Sequence, residues 1–174
     1  AQVDRIVKLI NDMLALSRLE TEDKPVNETV DLGEVLQSVK DELIPLADKN
    51  KVKLSVAGGG KVKMCGRHAE ELVKNLLENA VRYTGGGGYA KATVEKSGDK
   101  LILTVEDDGI GIADEDKERI FERFYRVDKS RSQKTGGTGL GLAIVKHICN
   151  LYGFKLSLTS KLGVGTKIVV EFPA

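Results

Sequence analysis

The segment LILTVEDDGIG, residues 101–111, joins a strand pattern to a carboxylate and a glycine-rich turn. Leu101, Leu103 and Val105 are two residues apart and fall on one face of an extended chain, which predicts a strand with that side facing the core. Asp107 is next on that side, where a carboxylate is costly to bury unless a donor contacts it. Two readings stay open. Asp107 binds a donor such as an adenine amino group, or it caps the glycine turn that follows it.

The patterns on either side of this segment predict the remaining elements. Alternation predicts two hairpins, Tyr89–Lys96 with Lys100–Asp107 and Phe154–Ser160 with Thr166–Phe172. Helical periods predict helices at Val3–Glu20, Asp31–Asn50 (capped by Asp31 and kinked or broken at Pro45), Arg67–Tyr83, Leu140–Tyr152 and, briefly, Asp114–Phe121. Two further strands are predicted at Val52–Val56 and Lys61–Cys65. The fold class is therefore α/β: a two-layer sandwich with a mixed, mostly antiparallel sheet, helices on one face and an N-terminal helix before it.

Composition limits the classes of function. The 174 residues include 27 basic and 26 acidic side chains, for a formal net charge of +1. That balance gives no reason to expect nucleic-acid or membrane-surface binding. No apolar run approaches the roughly 20 residues that span a bilayer. Cys65 and Cys149 lie in apolar contexts and are predicted to be buried free thiols.

The helix predicted at Arg67–Tyr83 carries two amides on one side. Asn75 and Asn79 are four residues apart, so they share that side with Glu71 and Arg82. A carboxamide oxygen suits Mg²⁺, which keeps most of its water and phosphate ligands. The alternative is two solvated amides on a helix surface.

A glycine cluster at residues 136–141, GGTGLG, leads directly into a predicted helix. Glycines let a backbone approach phosphates, and a helix N-terminus offers free N–H groups to an anion. The sequence has neither a G-x-x-x-x-G-K-[ST] loop nor a G-x-G-x-x-G that opens a helix in a βαβ unit. An ordinary turn is the alternative for this cluster.

Taken in order, these motifs resemble the catalytic and ATP-binding domain of bacterial sensor histidine kinases, in the GHKL superfamily. The matching motifs are Asn75-x-x-x-Asn79, Asp107-x-Gly109-x-Gly111, Phe121-x-x-Phe124, Gly137-x-Gly139-x-Gly141 and Gly163-x-Gly165-Thr166. The resemblance covers about residues 30–174 and implies a Bergerat-type ATP-binding fold. Residues 11–20 also resemble the end of the second helix of that family's dimerisation and phosphotransfer domain. The implied division is 1–28 for that helix and a linker, and 29–174 for the kinase domain.

The resemblance implies ATP and Mg²⁺ as cofactors and assigns each matching residue a role. Asn79 would hold Mg²⁺ with help from Asn75, and Arg126 would reach the γ-phosphate as the catalytic cation. The base pocket would involve Asp107, Gly109, Gly111, Ile112 and Thr166. The phosphates would be bordered by Arg82, Tyr83, Gly137, Thr138, Gly139, Leu140 and Gly141. Residues 113–137 would form an ATP lid anchored by Phe121 and Phe124, and 130–137 are predicted to be mobile without nucleotide.

The family's acceptor histidine, in a His-Glu-x-x-x-Pro setting, has no match. His68 is predicted to be a surface or capping residue, and His147 a packing residue. The implied partners are a phosphoacceptor helix of the same kinase, a response-regulator receiver domain and, in the full-length protein, a second copy in a homodimer. The implied location is the cytoplasmic part of a membrane-anchored sensor kinase.

Two alternatives to the kinase reading stay open. One is an ATP hydrolase of the same superfamily, whose members place a glutamate where this chain has Asn75. An amide cannot accept a proton from water, which argues against hydrolysis. The other is a nucleotide-sensing pseudokinase that acts as a scaffold.

Overall fold

The computed structural model describes residues 2–21, 25–126 and 138–173. Its helices are α1 (Gln2–Thr21), α2 (Leu32–Lys49), α3 (Gly66–Arg82) and α4 (Gly141–Tyr152). Its strands are β1 (Thr29–Asp31), β2 (Lys53–Gly58), β3 (Lys61–Lys63), β4 (Tyr89–Ser97), β5 (Lys100–Asp107), β6 (Lys155–Lys161) and β7 (Gly165–Pro173). Of the predicted lid, 113–137, residues 127–137 lie outside the described residues, and these include the stretch 130–137 that was predicted to be mobile. No described helix is long and apolar enough to cross a membrane.

The main sheet has five strands in the order β2-β4-β5-β7-β6. Strand β2 runs parallel to β4, and the other neighbours are antiparallel. Strand β5 is central, so Val105 pairs with Ala92 on one side and with Ile168 on the other. These side chains are buried beneath α2, α3 and α4. The predicted two-layer sandwich is thereby confirmed.

Several predicted details were wrong. Strand β3 pairs with β1, an unpredicted strand, in a separate two-stranded sheet. Pro45 lies inside α2, so the predicted break is wrong and a kink there stays a prediction. The predicted cap is confirmed, because the Asp31 side chain accepts from the Gly33 N–H at 2.9 Å. The helix expected from Asp114 is a single 3₁₀ turn that ends at Asp116. Three consecutive acidic residues near Ala113 give little apolar surface to hold a longer helix.

His68 is buried, with 2% of its surface exposed, although the sequence predicted a surface or capping residue. Its Nδ1 lies 2.6 Å from the Tyr152 hydroxyl, which also accepts from the Cys65 N–H at 3.0 Å. Tyr152 is at the end of α4, so this contact was not visible from local sequence. Cys65 and Cys149 are both free thiols, but only Cys149 is fully buried.

The N-terminal helix α1 packs on α4 through a face that the sequence reading missed. Leu16 and Leu19 are buried there, and the Leu19 carbonyl lies 3.0 Å from Nε2 of His147. Six other apolar positions of α1 are half exposed or more: Val3, Ile6, Val7, Ile10, Met13 and Leu14. The docked face instead follows Lys8, Asp12, Leu16 and Leu19 at helical spacing.

Candidate functional site

The main cavity of the described structure has a volume of about 500 Å³. It lies at the end of β5, between α3, the N-terminus of α4 and the β6–β7 hairpin. Twelve of the residues singled out from the sequence line it: Asn75, Asn79, Arg82, Tyr83, Asp107, Gly111, Ile112, Arg126, Thr138, Gly139, Gly141 and Thr166. These residues come from five separate stretches of the chain, so the fold brings the motifs together.

Asp107 both caps a turn and faces the cavity, so its two sequence readings are compatible. Its Oδ1 accepts a hydrogen bond from the Gly109 N–H at 2.8 Å. Burial, assisted by the neighbouring charge of Asp108, raises the pKa of Asp107 to about 6, although the N–H groups of Gly109 and Thr166 oppose the shift. Any further hydrogen-bond donor that enters the cavity and contacts this buried carboxylate would stabilise its charged form.

Two glycines after β5 allow backbones to approach closely around Asp107. A Cβ on Gly109 would lie 2.2 Å from the Tyr83 carbonyl oxygen and 2.9 Å from Asp107 Oδ1. Gly111 has φ +72°, and its Cβ would lie 2.1 Å from the Lys161 carbonyl oxygen. Gly109 itself does not line the cavity, so its place in the site is to fix Asp107 and not to contact a ligand.

Helix α3 supplies a polar wall. Asn75 is buried and donates from Nδ2 to the Glu71 carbonyl at 2.7 Å, so it is not a solvated surface amide. Glu78 pairs with Lys8 at 3.0 Å and with Arg82 at 3.2 Å. Burial disfavours the charged form of Glu78, but these two cations outweigh burial and leave its pKa below the ordinary value. The wall therefore holds, next to Asn79, a carboxylate whose charge is balanced by two cations.

A second side of the cavity is formed by Thr138 and Gly139, which precede α4. The Thr138 hydroxyl donates to Asp12 Oδ2 of α1 at 2.6 Å, in a buried contact. The Gly139 carbonyl accepts from the Phe124 N–H at 2.8 Å, which joins a residue within the expected lid to the chain just after it. Arg126 and Gly141 line the cavity here, so a cation and a helix N-terminus lie at the same end.

Besides Gly109, two described residues that the resemblance assigned to the site, Phe124 and Leu140, do not appear in the cavity wall. The Phe124 side chain is 56% exposed and its backbone has φ +62°, so its contribution is the backbone contact to Gly139 and not an anchoring ring. Leu140 is buried in the core just before α4 begins. Gly137 lies outside the described residues.

The sequence reading missed nine lining residues: Lys8, Asp12, Glu78, Ile110, Ile120, Tyr125, Leu142, Leu162 and Gly163. Gly163 was noted only as part of a motif. The i,i+4 pair of Lys8 and Asp12, on the same face as Leu16 and Leu19, was the available signal for a docked polar edge of α1. Tyr125 had no such signal, because its position depends on Asp116, whose carboxylate accepts from its hydroxyl, and on Arg119, which lies 4.5 Å from its ring centroid.

Comparison with known proteins places residues 66–174 in a match to the family model described as histidine kinase-, DNA gyrase B- and HSP90-like ATPase. Sensor histidine kinase RppB of Synechocystis is 40% identical over 173 residues, which is 97% of this chain and 38% of RppB. Sensor-like histidine kinase SenX3 of Mycolicibacterium smegmatis is 34% identical over 99% of this chain and 46% of its own length. The chain thus spans less than half the length of these curated relatives.

Solved structures match the fold as well. Full-length ShkA in complex with AMPPNP has a TM-score of 0.82 and 26% identity over 98% of this chain and 36% of its own. Acinetobacter baumannii histidine kinase AdeS has a TM-score of 0.78 and 26% identity over 99% of this chain and 80% of its own. Both matches extend across α1 as well as the sandwich.

Proposed function

The chain belongs to the histidine kinase-, DNA gyrase B- and HSP90-like ATPase family, and we propose that it is the ATP-binding catalytic part of a sensor histidine kinase. It would transfer the γ-phosphoryl group of ATP to a histidine on a phosphotransfer helix. A receiver domain of a response regulator would then take the phosphoryl group. Residues 29–174 would form the catalytic domain, and α1 would be the second helix of the dimerisation and phosphotransfer domain.

One observation carries this proposal: acceptor, amide and cation line one cavity in the order that a nucleotide needs. Asp107 would accept from the adenine amino group at one end, where Gly109 meets Tyr83 and Thr166 lies beside Asp107. Arg126 and the N-terminus of α4 lie about two turns of α3 away, because Gly139 meets Arg126 and Gly141 meets Asn75. Backbone N–H groups and a guanidinium suit phosphates there. A volume of about 500 Å³ is within the range of small-molecule sites.

Mg²⁺ fits the chemistry of α3. Asn79 offers one neutral amide oxygen on the cavity wall, and Glu78 is already compensated by Lys8 and Arg82. A cation that keeps its waters and takes phosphate oxygens needs few protein ligands, which is the habit of Mg²⁺ and not of Ca²⁺. When bound, the ion would neutralise charge on the phosphates, while Asn79 would fix its place.

The residues beside the phosphate end favour transfer over hydrolysis. A hydrolase needs a group that removes a proton from water. Asn75 occupies the position where the ATPase relatives carry a glutamate, and its Nδ2 is already committed to the Glu71 carbonyl. The described cavity wall thus offers positioning and charge stabilisation, which is what phosphoryl transfer to an external nucleophile requires.

The test combines this chain with radiolabelled ATP and a helical hairpin from the same full-length protein that carries its acceptor histidine. We expect label on the hairpin and none on the chain alone. The rate should be low, because the tether that raises the effective concentration is missing. Confirmed nucleotide binding without label on a folded hairpin would favour a pseudokinase that scaffolds. Release of inorganic phosphate without transfer would favour a hydrolase.

A further inference from the structure

Ser160, on β6, stands behind the cavity and has no role in the proposed reaction so far. Its side chain is buried and makes three hydrogen bonds. Its Oγ accepts from the Ile112 N–H at 2.8 Å and donates to the Gly165 carbonyl at 2.9 Å. It also lies 2.8 Å from Oγ1 of Thr166. Two of these three partners, Ile112 and Thr166, line the cavity while Ser160 does not.

Counting hydrogens fixes the direction of the third bond. A serine hydroxyl has one hydrogen to donate and two lone pairs to accept with. The Gly165 carbonyl can only accept, so it takes the hydrogen of Ser160. The Ile112 N–H can only donate, so it takes one lone pair. The remaining lone pair must therefore accept the hydroxyl hydrogen of Thr166.

The consequence for Thr166 is that its hydrogen points to Ser160 and only its lone pairs remain for a ligand. Thr166 is the cross-strand partner of Asp107 in the β5–β7 register, and both residues line the cavity. An ionised carboxylate also accepts only. This corner of the cavity therefore presents acceptors from two neighbouring strands and no side-chain donor from either residue.

We propose that Ser160 is a positioning residue that fixes Thr166 as an acceptor and so makes the base pocket reject 6-oxopurines. Adenine presents an amino group at its 6-position, whereas hypoxanthine and guanine present a carbonyl oxygen there. A carbonyl oxygen that faces two acceptors leaves them unpaired and is repelled. This inference rests on the proposed function, because it assumes that the base lies beside Asp107 and Thr166.

A purely structural role for Ser160 predicts a different result. As a brace for Ile112 and the β6–β7 hairpin alone, Ser160 would affect all nucleotides alike when removed. As the residue that sets the polarity of Thr166, it affects the ratio of affinities for two nucleotides that differ at the 6-position. ADP and IDP form such a pair, with the same phosphates and ribose.

The experiment measures the dissociation constants of ADP and IDP by calorimetry for the parent chain, Ser160→Ala and Ser160→Thr. In Ser160→Ala the Thr166 hydroxyl is free to donate to a carbonyl oxygen, so we expect the preference for ADP over IDP to fall about tenfold. Ser160→Thr keeps the hydroxyl and should keep the preference. Equal weakening of both nucleotides in Ser160→Ala would overturn the proposal.

A double-mutant cycle with Thr166→Val makes the assignment specific. Valine has no hydroxyl whose direction could be set, so adding Ser160→Ala to it should leave the ADP to IDP ratio unchanged. A further change in that ratio would show that Ser160 acts by another route and would contradict the proposal. If Ser160→Ala does not fold, Ser160→Cys, with a similar size and a poor acceptor, should show the same fall in preference. Failure of the parent chain to bind either nucleotide would instead remove the proposed function itself.

Discussion

Asp107 is the residue in which stability and binding oppose each other. Its pKa is raised to about 6 mainly by burial, so the carboxyl favours folding only while it is protonated. That contribution is complete below about pH 4, the ordinary range for the unfolded chain, and is lost as the pH rises through about 6. At neutral pH the empty site therefore carries a charged group that weakens the fold.

Asp107→Asn should consequently raise the stability of the empty protein and weaken its affinity for nucleotide. At pH 8 we expect the variant without ligand to be more stable than the parent by about 1 kcal/mol, a figure reduced for partial solvent screening. The difference should shrink toward pH 4. Thermal unfolding between pH 4 and pH 8 measures this, with Glu106→Gln on the other side of β5 as the control. A variant that is less stable than the parent at pH 8 would contradict the argument.

The same Asp107→Asn variant should bind ADP at least about tenfold more weakly than the parent. A hydrogen bond to a charged group contributes about 1.5–3 kcal/mol, and the asparagine amide turns a donor toward the adenine amino group. Calorimetry at pH 8 tests this on a protein shown to be folded. Unchanged affinity would remove Asp107 from the base pocket.

Asn79→Ala should remove the dependence of nucleotide binding on Mg²⁺. Asn79 offers an amide oxygen on the cavity wall, and alanine leaves the cation with waters and phosphates alone. Titrations of ATP with and without Mg²⁺ should then converge in the variant. Asn150→Ala, an exposed amide on α4, is the matched control and should behave as the parent does. A parent-like Mg²⁺ effect in Asn79→Ala would exclude this residue as the ligand.

Among the elements, α1 is joined to the sandwich by a short apolar and polar face. Leu16 and Leu19 are buried against it, Asp12 accepts from Thr138, and Lys8 pairs with Glu78. The helix therefore contacts both the wall of the cavity and the start of α4. A change in the position of α1 on the sandwich would therefore alter these contacts at the cavity wall without any rearrangement of the sheet.

Leu19→Ala should loosen α1 while the sandwich remains folded. Leu19 is 3% exposed, and truncating a buried leucine to alanine costs about 2–5 kcal/mol of stability. The remaining contacts of this helix face are too few to compensate for that loss. Hydrogen exchange should become faster across α1 and remain slow in β5. Ile10→Ala, at a position 51% exposed on the same helix, should change little. Equal exchange in the two variants would mean that the Leu19 contact does not hold the helix.

For the whole molecule, the affinity for ATP and the rate of phosphoryl transfer should be separable by substitution. Arg126 lines the cavity, and the proposed function assigns it to the phosphates, where negative charge on the moving phosphoryl group would develop between donor and acceptor. Arg126→Ala should lower transfer to the acceptor hairpin at least about tenfold with little change in ATP affinity. Single-turnover labelling together with calorimetry separates the two quantities. A parallel loss of affinity would assign Arg126 to ground-state binding.

The sheet and α2, α3 and α4 were predictable because their signals are local. Alternation placed Leu103 and Val105 inward. The family resemblance, carried by the order of the motifs, supplied the twelve site residues that line one cavity. Contacts made by residues distant in sequence were not predictable. His68 is buried in contact with Tyr152, which is 84 residues away in sequence. Helix α1 packs through Leu16 and Leu19, although its other apolar positions are more numerous.

The close backbone approaches at Gly109 and Gly111 limit which residues can replace these two glycines. An added methyl group would lie 2.2 Å from the Tyr83 carbonyl at one position and 2.1 Å from the Lys161 carbonyl at the other. Both of these close atoms belong to the backbone and not to flexible side chains, so even alanine at either position should destabilise the fold. The destabilisation should be present in the protein without nucleotide. A lineage that lost nucleotide binding but kept this fold would therefore retain both glycines. Their presence in a relative therefore indicates the shape of the backbone, whereas Asp107 and Asn79 indicate whether ATP still binds.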